Sequence, residues 1–191
     1  MKTLIVVDYQ QDFASPNGSL YVEDGEMLNG PITGLIRNPF FDRVIATKDL
    51  HPANHCSFEN HGGTWPSHCV VSTFGADFHF DMYGNDQIFI EFIIHKGRNK
   101  EVDSYSAFYD NDKKHYTGLG ELVKGSDIYI CGLALDYCVK FTAIDALEFS
   151  DNVFIISDAV KAVEKDPDKV RCLYAYLLGK GVQSILTEDI A

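Results

Sequence analysis

Side chains that can do chemistry stand at the ends of four strand-like stretches of this sequence. Asp8 closes the apolar run TLIVVD, Asp49 closes RVIATKD and Lys96 closes QIFIEFIIHK. Cys138 follows a fourth run, DIYICGL, by a few residues. Ligands bind beyond the carboxyl ends of the strands in an open parallel sheet, so these side chains are expected to meet at one edge. The sequence therefore predicts a catalytic or binding site there.

Cys138, Asp8 and Lys96 together suit catalysis by a thiol nucleophile. A thiol needs a base to take its proton and a cation to hold the charges in place, roles that Asp8 and Lys96 would fill. Cys138 is predicted to lie about one turn into a helix that starts near residue 135 or 136. There the helix dipole favours a thiolate and lowers the thiol pKa. Each residue alone has an ordinary structural explanation: a buried cysteine, a solvated carboxylate, a surface lysine.

The remaining cysteines are predicted to be structural. Cys131 lies inside the apolar stretch IYICGL and is expected in the core. Cys56, Cys69 and Cys172 show no partner pattern. The chain has five cysteines, an odd number, and no CxxC pair. Both facts argue against a disulfide framework and against a zinc site built from thiolates.

A second reactive cluster lies in DLHPANHCSFENHGGTWPSHC. Asp49 and His51 are two positions apart, so on an extended segment their side chains point the same way. His68 joins them from the loop that follows, and His55 and His61 are further candidates. One carboxylate and two imidazoles suit Zn²⁺, Fe²⁺ or Mn²⁺ with coordination positions left open. The alternative is a histidine-rich loop that is merely polar.

Three aromatic side chains lie in the segments between these clusters. Phe13, Trp65 and Tyr105 are predicted to form a flat slot for an aromatic ring. Ordinary packing is the alternative explanation for each of them.

Composition narrows the class of protein. The chain has 191 residues, of which 46% are hydrophobic, enough for a sizeable core in one domain. Its formal net charge of −12 argues against nucleic-acid partners and against anionic membranes. No apolar run approaches the roughly 18 residues of a membrane span, and the run Leu4–Val7 is too short for a secretory signal. We expect a cytoplasmic protein with reduced thiols, and self-association is left open.

Strand-like and helix-like stretches alternate along the chain, which predicts parallel strands joined by right-handed crossovers. Strands are predicted over residues 3–8, 43–49, 87–96, 127–133, 152–159 and 182–187. Helices are predicted over residues 24–37, 119–123, 136–150 and 167–178. The expected fold is one three-layer α/β/α domain over residues 1–191, with a six-stranded, mainly parallel, doubly wound sheet. Residues 50–85 have no steady period and are expected to form a long functional loop.

Five blocks of the sequence resemble one enzyme family. VVDYQQDF, TKDLHPANHCSF, TWPSHCV, HKGRNKEVDSYSAF and CGLALDYCVKFTAIDA are similar to the nicotinamidases, also called pyrazinamidases, of the isochorismatase-like cysteine hydrolases. The resemblance runs from residue 1 to about residue 159, with the blocks in matching order and spacing. It implies the isochorismatase-like hydrolase fold. It also implies hydrolysis of nicotinamide to nicotinate and ammonia, the deamidation step of NAD salvage, with pyrazinamide accepted as well.

The resemblance also implies roles for the reactive residues. Cys138 would attack the carboxamide carbon, with Asp8 as general base and acid and Lys96 completing the triad. The family has a cis peptide at the position of Leu133–Ala134, which would aim the Ala134 N–H, together with the Cys138 N–H, at the developing oxyanion. Leu133 and Ala134 would also line the substrate site.

One divalent metal ion is implied as the cofactor, with Zn²⁺ preferred over Fe²⁺ or Mn²⁺, and no organic cofactor is implied. The metal would be bound by Asp49, His51 and His68, and the metal and its waters would meet the pyridine nitrogen. Some relatives place a further histidine or a glutamate near the metal. Whether His55 or Glu59 does so here is left open.

Other functions remain as alternatives from the sequence. A related hydrolase of the same fold could act on another small amide or on a vinyl ether, although the ether-cleaving relatives lack the cysteine. A nucleotide-binding module would require a glycine-rich phosphate loop after the first strand, which VVDYQQDF does not contain. The last alternative is a hydrolase that uses a metal-bound water while the cysteine is idle. Alkylation of the thiol would distinguish it from a cysteine-dependent nicotinamidase, because only the metal-water enzyme would stay active.

Overall fold

A six-stranded parallel sheet forms the centre of the protein in a computed structural model that describes residues 1–79 and 89–190. The strand order is β3-β2-β1-β4-β5-β6, and every neighbouring pair is parallel. The strands are β1 (Lys2–Val7), β2 (Arg43–Asp49), β3 (Phe92–Lys96), β4 (Asp127–Leu133), β5 (Val153–Lys161) and β6 (Val182–Ile185). The prediction of a parallel sheet is confirmed. The start of the predicted third strand, residues 87 and 88, lies outside the described residues.

Five α-helices accompany the sheet in the described ranges: α1 (Gln11–Ala14), α2 (Asn29–Ile36), α3 (Leu119–Val123), α4 (Lys140–Ala146) and α5 (Pro167–Lys180). The helix predicted over residues 24–37 is a 3₁₀ turn that runs into α2, and the helix predicted over 136–150 is a π-helical turn, Leu135–Val139, that runs into α4. Helix α5 begins as predicted, because the Asp166 side chain accepts a hydrogen bond from the Asp168 amide at 2.9 Å.

Both faces of the sheet are covered, which is why its strands read as unbroken apolar runs. Leu4 and Val6 of β1 face one core cluster, which also contains Ile32 of α2. Ile5 belongs to the cluster on the other face, together with Val139 and residues of α4 and α5. The three-layer α/β/α architecture is therefore confirmed.

The strand order reverses direction between β1 and β4, and this topological switch point opens a crevice at their carboxyl ends. Gly132 allows the two strands to approach closely there. A Cβ atom on Gly132 would lie 2.1 Å from the Val7 carbonyl oxygen, and its φ of +110° also favours glycine. The residues that follow β1 and β4 are thereby brought side by side.

The segment that follows β2 is attached to the same edge of the sheet. Isolated β-bridges join His51 to Val70 and Gln10 to Phe78. Within residues 50–79 the regular structure is limited to such bridges and short 3₁₀ turns, in keeping with the predicted loop. Residues 80–85 of that prediction lie outside the described residues. In residues 1–79 and 89–190, no helix is long and apolar enough to cross a membrane.

Candidate active site

A buried lysine, Lys96 at the end of β3, lies among the reactive side chains at this edge of the sheet. Lys96 Nζ is 2.9 Å from Asp8 Oδ2 and 2.8 Å from Asp49 Oδ1, and it donates a hydrogen bond to the Ser104 carbonyl at 2.7 Å. The same nitrogen lies 3.5 Å from Cys138 Sγ. Asp8, Lys96 and Cys138 are all buried, with at most 7% of any of them exposed. The structure thus brings the three predicted catalytic residues together around one ammonium group.

The ends of β1 and β4 position the carboxylate and the thiol. Asp8 follows β1 directly and turns the chain out of the sheet with a φ of +44°. Cys138 lies in the π-helical turn Leu135–Val139, in which the amides of Tyr137 and Val139 both donate to the Ala134 carbonyl at 3.1 Å. The peptide bond between Leu133 and Ala134 is cis, as the resemblance implied.

The predicted thiolate at Cys138 is wrong for this structure. Burial raises the pKa of the Cys138 thiol well above its usual value, and the Lys96 ammonium lowers it too little to compensate. The carboxylates of Asp8 and Asp49 raise it further. Desolvation and these two anions outweigh the favourable effect of the helix dipole. The thiol therefore keeps its proton until a base removes it.

The surroundings of Asp8 and Lys96 raise the pKa of both groups. Burial raises the pKa of the Asp8 carboxyl, although the Lys96 ammonium works in the opposite direction. Burial alone would lower the pKa of Lys96, but the carboxylates of Asp49 and Asp8 hold it well above its usual value. Lys96 is thus a permanent cation, and Asp8 is a stronger proton acceptor than an ordinary carboxylate.

Asp49, His51 and His68 form a group that suits a divalent metal. Their ligand-capable atoms lie within 4.8 Å of one another, with Asp49 Oδ2 at 3.2 Å from His51 Nε2 and 3.8 Å from His68 Nε2. The Nδ1 atoms lie 2.8 Å from backbone carbonyls, those of Gly97 for His51 and Pro66 for His68. A protonated Nδ1 donates to such a carbonyl and leaves Nε2 with a lone pair for a metal.

Three further observations support the fit to a metal. His51 Nε2 is buried and makes no hydrogen bond of acceptable angle to any described residue. A Cβ atom on Gly97 would lie 2.4 Å from His51 Cε1, so the glycine lets the backbone that orients this imidazole approach closely. Burial lowers the pKa of His68, which favours the neutral imidazole that a metal requires. The donor set and its orientation therefore fit a divalent cation.

His55, Glu59 and His61, the other residues considered as metal ligands, differ in their burial and position. His55 is fully buried, stacks on His51 with a centroid distance of 4.0 Å, and forms a separate group with His51 and Asp103. Glu59 and His61 lie exposed in a 3₁₀ turn and belong to none of the potential metal groups of the described chain.

A cavity that is partly open to solvent joins the thiol to the metal group. The aromatic side chains predicted to form a slot line its walls, and Leu133 and Ala134 line it too. Trp65 Nε1 donates a hydrogen bond to the Tyr105 hydroxyl at 3.1 Å. Phe13 packs against the His68 imidazole at a centroid distance of 5.5 Å.

The cavity also has wall residues that were not predicted from the sequence: Leu20, Val22, Asp103, Tyr137 and Val163. Tyr137 was discoverable because it precedes Cys138 in the same turn. The three aliphatic residues come from irregular segments and from the residues after β5, where no periodic pattern singles them out.

The chain is similar to proteins of known family and structure. The Isochorismatase domain matches residues 2–184. A nicotinamidase of Acinetobacter baylyi is 37% identical over 206 residues, which cover 98% of this chain and 93% of that protein. PnC1 from L. infantum, solved in complex with nicotinate, is 36% identical with a TM-score of 0.92, covering 100% of this chain and 95% of the other.

A solved pyrazinamidase of Pyrococcus horikoshii in complex with zinc is also similar. It is 34% identical with a TM-score of 0.82, and the match covers 97% of this chain and 98% of the other. The resemblance to nicotinamidases seen in the sequence is confirmed by these matches. The chain belongs to the isochorismatase family.

Proposed function

We propose that this protein hydrolyses nicotinamide to nicotinate and ammonia and so performs the deamidation step of NAD salvage. The observation that carries the proposal is one cavity that contains both Cys138, with Asp8 and Lys96 beside it, and two residues of the metal group, Asp49 and His68. A cavity with aromatic walls that is lined by both the thiol and potential metal ligands suits a heteroaromatic amide. The similarity to a nicotinamidase and to a protein solved with nicotinate supports the choice of substrate.

Cys138 is the nucleophile in this proposal. Asp8 Oδ2 takes the thiol proton as the sulfur adds to the carboxamide carbon, and the carbonyl electrons move to its oxygen. The Ala134 and Cys138 amides donate hydrogen bonds to that oxyanion. Asp8 then gives the proton to the departing nitrogen, which leaves as ammonia, and a thioester remains on Cys138.

Water completes the reaction. Asp8, again a carboxylate, takes a proton from the water that attacks the thioester, and the second oxyanion uses the same amides. Collapse releases nicotinic acid, which loses its remaining proton to solvent to become nicotinate, and the proton on Asp8 returns to the Cys138 sulfur. Lys96 transfers no proton; its fixed charge, 2.9 Å from Asp8 and 3.5 Å from the sulfur, stabilises whichever of the two groups is anionic.

Asp49, His51 and His68 would hold one divalent metal, for which Zn²⁺ is our first choice and Fe²⁺ or Mn²⁺ the alternatives. A bound metal supplies positive charge that orients the pyridine nitrogen directly or through its waters. Phe13, Trp65 and Tyr105 then enclose the ring. Pyrazinamide keeps the nitrogen and the ring shape, so we expect it to be accepted.

Metal removal is expected to weaken binding more than it slows bond cleavage. Chelator-treated protein should show a KM for nicotinamide raised about tenfold or more, because the group that holds the ring nitrogen is lost. It should also melt at a lower temperature, because a bound metal stabilises the folded state. Elemental analysis should find about one metal per chain in wild type.

Paired histidine variants test which residues bind that metal. His68→Gln should lose the metal, while His61→Gln should keep it, since His61 is exposed and outside the metal group. Equal metal content in the two variants would contradict the assignment of His68.

Ammonia release from a panel of amides tests the substrate. We expect turnover of nicotinamide and pyrazinamide, and turnover at least about 100-fold lower for benzamide, which has the same shape without the ring nitrogen. Equal activity on benzamide would contradict recognition of the nitrogen. Activity confined to aliphatic amides would favour the alternative, a related cysteine hydrolase of the same fold.

A further inference from the structure

We infer that Thr47 of β2 is a positioning residue for Asp8, an inference that rests on the proposed function. Thr47 is fully buried, and its hydroxyl makes two contacts with the same residue. The Asp8 amide donates to Thr47 Oγ1 at 3.0 Å, and Thr47 Oγ1 donates to Asp8 Oδ1 at 2.5 Å. One hydroxyl therefore holds both the main chain and the carboxylate of the proposed base.

The contact with the Asp8 amide supports an unusual backbone conformation at Asp8. Asp8 has a φ of +44°, a left-handed conformation that a non-glycine residue adopts only where its surroundings support it. The chain leaves the sheet at this point, since the pairing of β1 with β2 ends at Val6 and Ala46. The buried Asp8 amide needs an acceptor, and the Thr47 hydroxyl supplies it.

The contact with the Asp8 side chain gives the two carboxylate oxygens different partners. Oδ1 accepts from Thr47, whereas Oδ2 lies 2.9 Å from Lys96 Nζ without a hydrogen bond of acceptable angle to any described residue. The terminal torsion of an aspartate is soft, so the plane of the carboxylate is set by its partners. By fixing Oδ1, Thr47 keeps Oδ2 directed at the Lys96 ammonium, which itself lies 3.5 Å from Cys138 Sγ.

Another buried threonine in the same sheet provides a matched comparison. Thr3 of β1 is also fully buried, but its hydroxyl has no hydrogen-bond partner among the residues described here. A threonine hydroxyl inside this sheet is thus tolerated without a partner. The double contact of Thr47 is specific to its place beside Asp8.

Three substitutions test the inference: Thr47→Val, which keeps the shape and removes the hydroxyl; Thr47→Ser, which keeps the hydroxyl; and Thr3→Val, the matched control. Thr47→Val should lower kcat for nicotinamide about 10- to 100-fold, because the base is misdirected, with KM within about twofold of wild type. Thr47→Ser should stay within about threefold of wild type, and Thr3→Val within about twofold. Thr47→Ala provides a second hydroxyl-free variant if valine is not accommodated.

A second readout does not depend on the substrate. Iodoacetamide alkylates thiolates, and its rate at the Cys138 peptide, followed by mass spectrometry, reports proton removal by Asp8. We expect this rate to fall several-fold in Thr47→Val and to recover in Thr47→Ser. The exposed Cys172 should react equally in all variants and serves as the internal reference.

Several results would overturn the inference. The first is a Thr47→Val variant whose kcat and alkylation rate equal those of wild type. The second is a Thr47→Ser variant that loses as much kcat as Thr47→Val. The third is a loss of kcat in Thr47→Val no larger than the loss in Thr3→Val. Wild-type protein without nicotinamide turnover would contradict the proposed function instead, and the alkylation rates would still decide the role of Thr47.

Discussion

Replacing Cys138 with alanine is expected to lower kcat for nicotinamide by about 10⁴-fold or more, because the variant has no atom that can form the thioester. Nicotinate binding should persist, since the aromatic walls and the metal group remain intact. Steady-state ammonia release measures the first quantity and calorimetric titration with nicotinate the second.

Cys131→Ala is the matched control for this substitution. Cys131 is also buried, and burial raises its thiol pKa as well, but it lies within β4 and packs in the core cluster on the other face of the sheet. We expect this variant to lose stability by about 1 kcal/mol and to keep its kcat. Wild-type turnover in Cys138→Ala would show that the thiol is idle and would favour a metal-water hydrolase.

Asp8→Asn is expected to lower kcat about 10²- to 10⁴-fold, since the amide cannot take the Cys138 proton or return it to ammonia. The asparagine carbonyl still accepts from Thr47, so the fold should survive. Asp77→Asn is a suitable control, because Asp77 is an exposed carboxylate in an ion pair with Lys48. A kcat within about threefold of wild type in Asp8→Asn would exclude Asp8 as the base.

The role of Asp8 as the base should also be visible on the acid side of the pH–rate profile. A general base works deprotonated, so activity is lost as the pH falls through its pKa. Burial raises the Asp8 pKa above its ordinary 3.8, so the loss should occur at a higher pH than for a solvated carboxylate. Lys96 should not titrate near neutrality, because Asp49 and Asp8 raise its pKa. Profiles of kcat/KM for wild type and Asp8→Asn test both statements.

The reactive residues were predictable because topology alone brings them together. Apolar runs mark the buried strands of a parallel sheet, and such strands end at a common edge, so Asp8, Asp49 and Lys96 were expected at the same edge. Their mutual contacts also depend on the strand order, which places β2 between β1 and β3. The His51 and His68 pair was less certain, since His68 reaches the edge through a segment without a regular period.

Other features depended on contacts that the sequence does not encode locally. The raised pKa of the Cys138 thiol follows from its desolvation and from two carboxylates distant in sequence, and neither is visible in the local helix pattern. In the sequence Thr47 is indistinguishable from an ordinary strand residue, because its β-branched side chain favours a strand whether or not its hydroxyl makes a hydrogen bond. Leu20 and Val163 join the cavity from segments whose path only the tertiary structure reveals.

Covalent catalysis by Cys138 is the central claim, and interception of the thioester tests it most directly. Wild-type protein turning over nicotinamide in the presence of hydroxylamine should form nicotinohydroxamate, because hydroxylamine attacks the thioester carbon in place of water and releases the sulfur. The hydroxamate fraction should rise with hydroxylamine concentration, and nicotinate should fall by the same amount. Sustained turnover that yields only nicotinate at every hydroxylamine concentration would contradict the thioester and place the nucleophile elsewhere.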